Sequence, residues 1–161
     1  MLTELLNDKN KLEKLMRIVI NESLNSLPDD VPIGAAVFNT DAEIPKIISC
    51  SHNTRELKKD STDHAEIISI RKATSTLNDW RLENCILVST LEPCVMCTGA
   101  LVKSKIRGVV FGAHDLQYGA CGSIYNFLSD PRLNHNAPIV GGILEEECSS
   151  QLKNFFNELR K

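Results

Sequence analysis

The sequence predicts an α/β fold in which a central sheet is covered by helices on both faces. Three observations carry this reading. Short apolar, β-branched runs occur at Ile33–Phe38, Ile44–Cys50, Cys85–Thr90 and Gly108–Gly112. Helical spacing or helix-start signals separate and flank them. The resulting order β-β-α-β-α-β, with a helix before and after it, places helices where they can cover both sides of a sheet.

The elements follow in order. Leu12, Leu15, Met16, Val19, Leu24 and Leu27 recur near helical spacing, so an amphipathic helix is expected from about Asn10 to Leu27, with Pro28 and Pro32 bracketing its end. Ile33–Phe38 and Ile44–Cys50, separated by Asn39-Thr40-Asp41-Ala42-Glu43, read as a hairpin with a longer loop. A polar stretch leads to a helix over Asp63–Leu77, with Thr62 or Asp63 as its N-cap and Ile67, Ile68 and Ile70 for burial. Cys85–Thr90 is a buried strand. Pro93 suits the first turn of a helix reaching about Lys103, because its missing N–H would be unpaired there anyway. Gly108–Gly112 is a further strand. Gly112–Ser123, with Gly119 and Gly122, is expected as a loop at one end of the sheet. Gly141-Gly142 precedes a final helix over Glu145–Arg160, whose acidic first turn and basic end complement its dipole.

Composition sets the class. The chain has 161 residues, 42% apolar and 24% charged, which suits one globular domain spanning 1–161 and excludes disordered and fibrous classes. No apolar run approaches a membrane span, and Met1–Lys14 lacks the apolar stretch of a secretory signal, so a cytoplasmic protein is expected. Six cysteines in such a chain read better as reduced thiols than as three disulfides. A formal charge of −3 does not favour a nucleic-acid partner. Arg55, Lys58 and Lys59, then Lys103, Lys105 and Arg107, and finally Arg160 and Lys161 form either a local patch or a set of solvated surface charges.

Two motifs at successive helix starts carry chemistry: His64-Ala65-Glu66 and Pro93-Cys94-Val95-Met96-Cys97. Cysteines at i and i+3 share a helix face and can reach one zinc ion, and a helix N-terminus favours their ionised form. With His64 as third ligand, a tetrahedral ion keeps one position for water and acidifies it. Glu66, as a carboxylate beside that position, is the candidate general acid and base. Because residues two apart on an ideal helix point opposite ways, His64 and Glu66 share a pocket only in an irregular first turn.

These motifs resemble the signature of the zinc nucleobase deaminases. More closely, Val31-Pro32-Ile33-Gly34-Ala35, His52-Asn53, His64-Ala65-Glu66-Ile67, Trp80-Arg81-Leu82, the block Thr90–Ala100, Val109–Ala113, Gly122-Ser123, Asn134-His135 and Phe155-Phe156 resemble the bacterial-type tRNA adenosine deaminases. The resemblance implies a three-layer α/β/α sandwich of the cytidine deaminase kind, with a mixed sheet of about five strands. It also implies a homodimer holding one zinc ion per subunit, which converts adenosine to inosine at the wobble position of a tRNA anticodon stem-loop, an arginine tRNA being the implied substrate. Asn53 would hydrogen-bond the flipped base, Ala65 would line the substrate site, Asp115 would hold the nucleotide backbone or ribose, and Phe155 would contact the anticodon loop. The chain departs from the family pattern at Ser61 and Asp63, and the extra Asp63 carboxylate beside a metal ligand is expected to favour a protonated His64 or to weaken phosphate binding.

Other readings stand beside these. A structural zinc would need a fourth ligand from Cys50, Cys121, His52, His114 or His135. Cys85 and Cys148 read as inert buried thiols, and Trp80 as a packing or dimer residue. A deaminase of free bases, nucleosides or nucleotides, and a non-catalytic zinc-stabilised subunit, are the rival functions. The subunit has no need of Glu66.

Overall fold

Strand alternation builds two cores on one sheet. The computed structural model describes Met1–Lys161 and contains five strands: β1 (Gly34–Asn39), β2 (Lys46–His52), β3 (Cys85–Leu91), β4 (Gly108–Ala113) and β5 (Ile139–Val140). Their spatial order is β2-β1-β3-β4-β5; β1 is antiparallel to both β2 and β3, and β3, β4 and β5 are parallel. The helices are α1 (Leu2–Asn7), α2 (Lys9–Ser23), α3 (Arg55–Lys58), α4 (Ala65–Leu77), α5 (Val95–Lys103) and α6 (Glu145–Leu159).

Successive strand residues point to opposite faces. Ala35, Val37, Leu87, Val109 and Phe111 pack with Ala65, Ile70, Ala73 and Leu101 of α4 and α5. Their neighbours Ala36, Phe38, Ile86, Val88 and Val110 pack instead with Leu12, Leu15, Met16 and Val19 of α2 and Cys148 of α6. This is the expected three-layer sandwich with a mixed five-stranded sheet. Removing a strand side chain from either core leaves a cavity between tightly packed layers, which is why β1, β3 and β4 read as nearly continuous apolar runs.

Boundaries moved for local reasons. The first long helix ends at Ser23 and tightens into a 3₁₀ turn over Leu24–Ser26 ahead of Pro28. β2 begins at Lys46 because Pro45 has no N–H to give the ladder. The helix expected from Asp63 starts at Ala65, with His64 as its N-cap, and the helix expected from Pro93 starts at Val95, with Cys94 as its N-cap. The last helix ends at Leu159, so Arg160 is its C-cap and no basic residue lies in its final turn. α1, the single-turn α3 and the two-residue β5 are additions. All six thiols are unpaired, and no helix is long and apolar enough to cross a membrane.

Gly34, at the start of β1, fixes how closely α2 approaches the sheet. A Cβ there would press into the backbone carbonyl of Val19 and against Ser23, while the Gly34 N–H donates to Thr90 Oγ1 at 3.1 Å. Backbone cannot move aside as a side-chain tip can. Gly34→Ala is expected to destabilise the protein by about 1–3 kcal/mol, read as a lower urea midpoint at unchanged slope.

Candidate metal centre and active site

Because β2 and β3 both run against β1 while β4 runs with β3, the C-terminal ends of β2, β3 and β4 meet at one edge of the sheet. Ligand crevices in open α/β sheets form outside such ends. A cavity of about 670 Å³ opens there, with Asn53 beyond β2, His64, Ala65 and Glu66 at the start of α4, Cys94 at the start of α5, and Asp115 beyond β4 on its walls.

His64 and Cys94 are both helix N-caps in extended conformation, at φ −71°, ψ 149° and φ −74°, ψ 178°, and neither helix start has a side-chain cap. An N-cap residue lies outside the helical spiral, so His64 does not diverge from Glu66 as two residues of one turn would. His64 Nδ1 lies 3.7 Å from Cys94 Sγ and 3.6 Å from Cys97 Sγ, and the three donor atoms are all within 4.8 Å of one another. A tetrahedral zinc with ordinary bond lengths has nitrogen-to-sulfur edges of about 3.6 Å. The donor set therefore fits this ion.

None of the other possible ligands joins the set. His52 Nδ1 meets Glu22 at 2.7 Å, His114 Nδ1 meets Glu145 at 2.7 Å, and His135 Nε2 donates to the Ile106 carbonyl at 2.6 Å. Cys121 Sγ sits 3.4 Å from Thr98 Oγ1, and Cys50 lies along β2. Three side chains would hold the ion, and two of them, His64 and Cys94, lie on the cavity wall.

Glu66 is 4% exposed, and its Oε1 lies 3.5 Å from Ser89 Oγ, whose one hydrogen goes to the Leu91 carbonyl at 2.6 Å. Burial pushes its carboxyl up to about 7, against the lowering effects of its own backbone N–H and of His64. A hydrogen bond from Cys97, followed by one from His64, pulls the Cys94 thiol down to about 4, while Cys97 itself, buried and donating to Cys94, is pushed well above the usual thiol range. Cys94 is thus the thiol that ionises more readily, and a divalent cation bound at this set would deprotonate both.

Residues 9–113 match the model of the cytidine and deoxycytidylate deaminase zinc-binding region. The chain belongs to the zinc-dependent deaminase family. It is 48% identical over 133 residues to a tRNA-specific adenosine deaminase of Bacillus subtilis (strain 168), covering 82% of this chain and 80% of that one. A solved structure from work on A-to-I editing by tRNA:A34 deaminases superposes with a TM-score of 0.79 at 34% identity, covering 86% of this chain and 99% of that one. A guanine deaminase from Bacillus subtilis superposes with a TM-score of 0.58 at 26% identity, over 92% of each chain. Zinc is thus the cofactor of this deaminase.

The deaminase places the remaining candidates unequally. Asn53 lines the cavity, and Ala65, fully buried, offers it only backbone because its methyl belongs to the core. Asp115 Oδ1 accepts from the N–H groups of Gln117 and Tyr118 at 3.0 and 3.1 Å, which shapes the loop, while Oδ2 makes no hydrogen bond within the chain. Phe155 is half-buried and outside the cavity wall; Phe156, 44% exposed, lines it. Consecutive helical residues point about 100° apart, so only one of the pair faces the cavity. Asp63 accepts from Thr54 Oγ1 at 2.6 Å and pairs with Lys58 and Arg71 at 3.5 and 3.7 Å, so its charge is neutralised away from His64. Of the basic residues, Arg55 lines the cavity, whereas Arg107 is tied to Thr40 and Lys105 to the Asn134 carbonyl. Trp80 is 55% exposed under the Arg81 guanidinium, outside both the cores and the cavity.

Sequence reading missed Glu92. This buried carboxylate accepts from the N–H groups of Asp115, Cys121 and Ser123 at 3.0, 3.1 and 3.0 Å and from the Ser123 hydroxyl, so it holds the whole cavity-rim loop. Burial alone would raise its pKa; the Ser123 hydroxyl and the backbone donors outweigh that and hold it below the usual carboxylate range. A Cβ at Gly119 would collide with this carboxylate, so only glycine fits there. Its signal in the sequence was a charge inside the apolar-to-Pro93 junction, followed by two glycines in the loop it orders.

Cys97→Ser is expected to reduce bound zinc from about one ion per chain to well below that, as read by elemental analysis after dialysis, because a hydroxyl is a far poorer zinc ligand than a thiolate.

Proposed function

We propose that this chain deaminates adenosine to inosine at the wobble position of a tRNA anticodon, acting as one catalytic unit over residues 1–161. The observation that carries the chemistry is the buried Glu66 carboxylate at a three-ligand zinc set that opens onto a cavity. The tRNA-specific deaminase relatives support the substrate.

Zinc, when held by His64, Cys94 and Cys97, supplies Lewis acidity that makes water nucleophilic near neutral pH. Glu66 takes a proton from the attacking water and delivers it to N1 of the adenine as the new C6–O bond forms. A second transfer through Glu66 to the exocyclic nitrogen lets it leave as ammonia, so adenosine and water become inosine and ammonia. The surrounding apolar wall of Val31, Ile33 and Leu91 keeps bulk water from competing for that proton.

Arg55 on the cavity wall, paired with Glu56 only at an exposed 3.3 Å contact that a phosphate can replace, is the cation placed to meet the substrate backbone. Phe156, rather than Phe155, supplies the stacking face of α6. An arginine tRNA as substrate and a cytoplasmic location belong to the same reading. A homodimer accords with the exposed apolar Val95, Ile124 and Tyr125 that line a groove beside Cys94.

A second reading, a deaminase of free bases or nucleosides, is favoured by the likeness to a guanine deaminase and by the net charge of −3. Incubation with an anticodon stem-loop and with free nucleosides separates the two: inosine is expected in the stem-loop, and faster ammonia release from nucleosides would select the second reading. Glu66→Ala should lower turnover by about 10²–10⁴-fold or more while zinc stays bound; normal turnover defeats the mechanism. Phe156→Ala should weaken stem-loop binding by about 1–3 kcal/mol, and Phe155→Ala should leave it nearly unchanged, as measured by titration at fixed salt.

A further inference from the structure

Asn53, on the cavity wall, is fixed through both its backbone and its side chain. Its N–H donates to the Ile33 carbonyl at 2.9 Å, and its carbonyl accepts from Ser26 Oγ at 2.9 Å. Its side-chain Nδ2 donates to Asp30 Oδ1 and to the Val31 carbonyl, both at 3.2 Å, and its Oδ1 accepts from the Arg55 N–H at 3.1 Å. Asp30 is 2% exposed, and its carboxylate also accepts from the N–H groups of Glu56 and Leu57 at 3.0 Å each.

A carboxamide has two donor hydrogens and one oxygen with two lone pairs. Both hydrogens of Asn53 point into the protein, and one lone pair is taken by Arg55. A flipped amide would set its NH₂ against the Arg55 N–H and its oxygen against a carboxylate and a carbonyl, so the orientation is dictated by its partners. All that remains for a ligand is the second lone pair of Oδ1.

We propose that Asp30 is a positioning residue for substrate selection: it locks the Asn53 amide so that the cavity presents a hydrogen-bond acceptor, matched to a donor group on the substrate nucleotide. This rests on the proposed deamination of adenosine within RNA. A substrate group with only lone pairs would meet oxygen facing oxygen and be rejected. Asp30 lies in the turn joining α2 to β1, so the selection is set from outside the metal-binding helices.

Asp30→Asn is nearly isosteric and keeps one oxygen for the α3 N–H groups, but turns an NH₂ toward the Asn53 NH₂. With an adenosine anticodon stem-loop, its KM is expected to rise about 3- to 10-fold, the loss of one net hydrogen bond, with kcat changed less than twofold. In the Asn53→Ala background the same substitution should add nothing, because Asp30 acts through Asn53. A wild-type KM for Asp30→Asn, or an undiminished penalty in that background, overturns the proposal. A 2′-deoxyadenosine stem-loop assigns the donor: the Asp30→Asn penalty disappears if the ribose hydroxyl donates and persists if a base N–H donates. Independently of activity, the Asn53 side-chain amide protons, identified by their absence in Asn53→Ala, should exchange slowly in the wild-type protein; fast exchange overturns the clamp even if Asp30→Asn folds poorly. Slow exchange together with no inosine from the wild-type protein would instead defeat the functional reading.

Discussion

The site depends on one constraint: two helices that follow the strands on either side of β1 begin at the same edge, each with a candidate metal ligand in its N-cap position. His64 and Cys94 occupy places where serine, threonine or aspartate would ordinarily satisfy the first N–H groups. Their side chains are turned to each other instead, so each helix start gives up a cap to place a donor atom where an ion would sit. The positive ends of two helix dipoles then converge on sulfur, which favours the ionised thiol. Antiparallel β1 makes the convergence possible, because it lets β2 and β3 end together while sharing one neighbour.

Three buried carboxylates show how partner number sets role. Glu92 accepts four hydrogen bonds and is held as a fixed anion that orders a loop. Asp30 accepts from two backbone N–H groups and one amide and holds a side chain in place. Glu66 has only its own backbone N–H and the Cys97 thiol beside it, since Ser89 gives its hydrogen to Leu91, and burial dominates. Of the three, only Glu66 is left under-bonded, and it is the one at the metal set, where a proton must come and go.

Much of this was legible in residue order. The Cys94 and Cys97 pair was legible from spacing and His64 from its motif, and the layered sheet from the runs at β1, β3 and β4; the fold then brings the three donor atoms together. What stayed hidden depended on tertiary context. The two residues of β5 carry no periodicity, and α1 and α3 are too short to show one. Cap positions slipped by one or two residues because His64 and Cys94 serve as caps without a capping hydrogen bond, which propensity does not foresee. The choice between Phe155 and Phe156 needs the rotation of α6 about its axis. Asp63 looked like a disturbance of His64 in sequence, yet Thr54, Lys58 and Arg71 absorb it in space. The burdens of Glu92 and Asp30 lie in contacts across more than twenty residues, and nothing local announces them.

The loop anchored by Glu92 also decides where the entropy of recognition falls. With its backbone tethered at Asp115, Cys121 and Ser123 and no room at Gly119 for even a methyl group, the rim behaves as a rigid mould before any ligand arrives. An incoming strand must therefore adapt to the protein, unstacking its own nucleotide to enter, while the enzyme gives up little freedom in return. A nucleotide that is already unstacked gives up less on entering such a mould than one held in a stack.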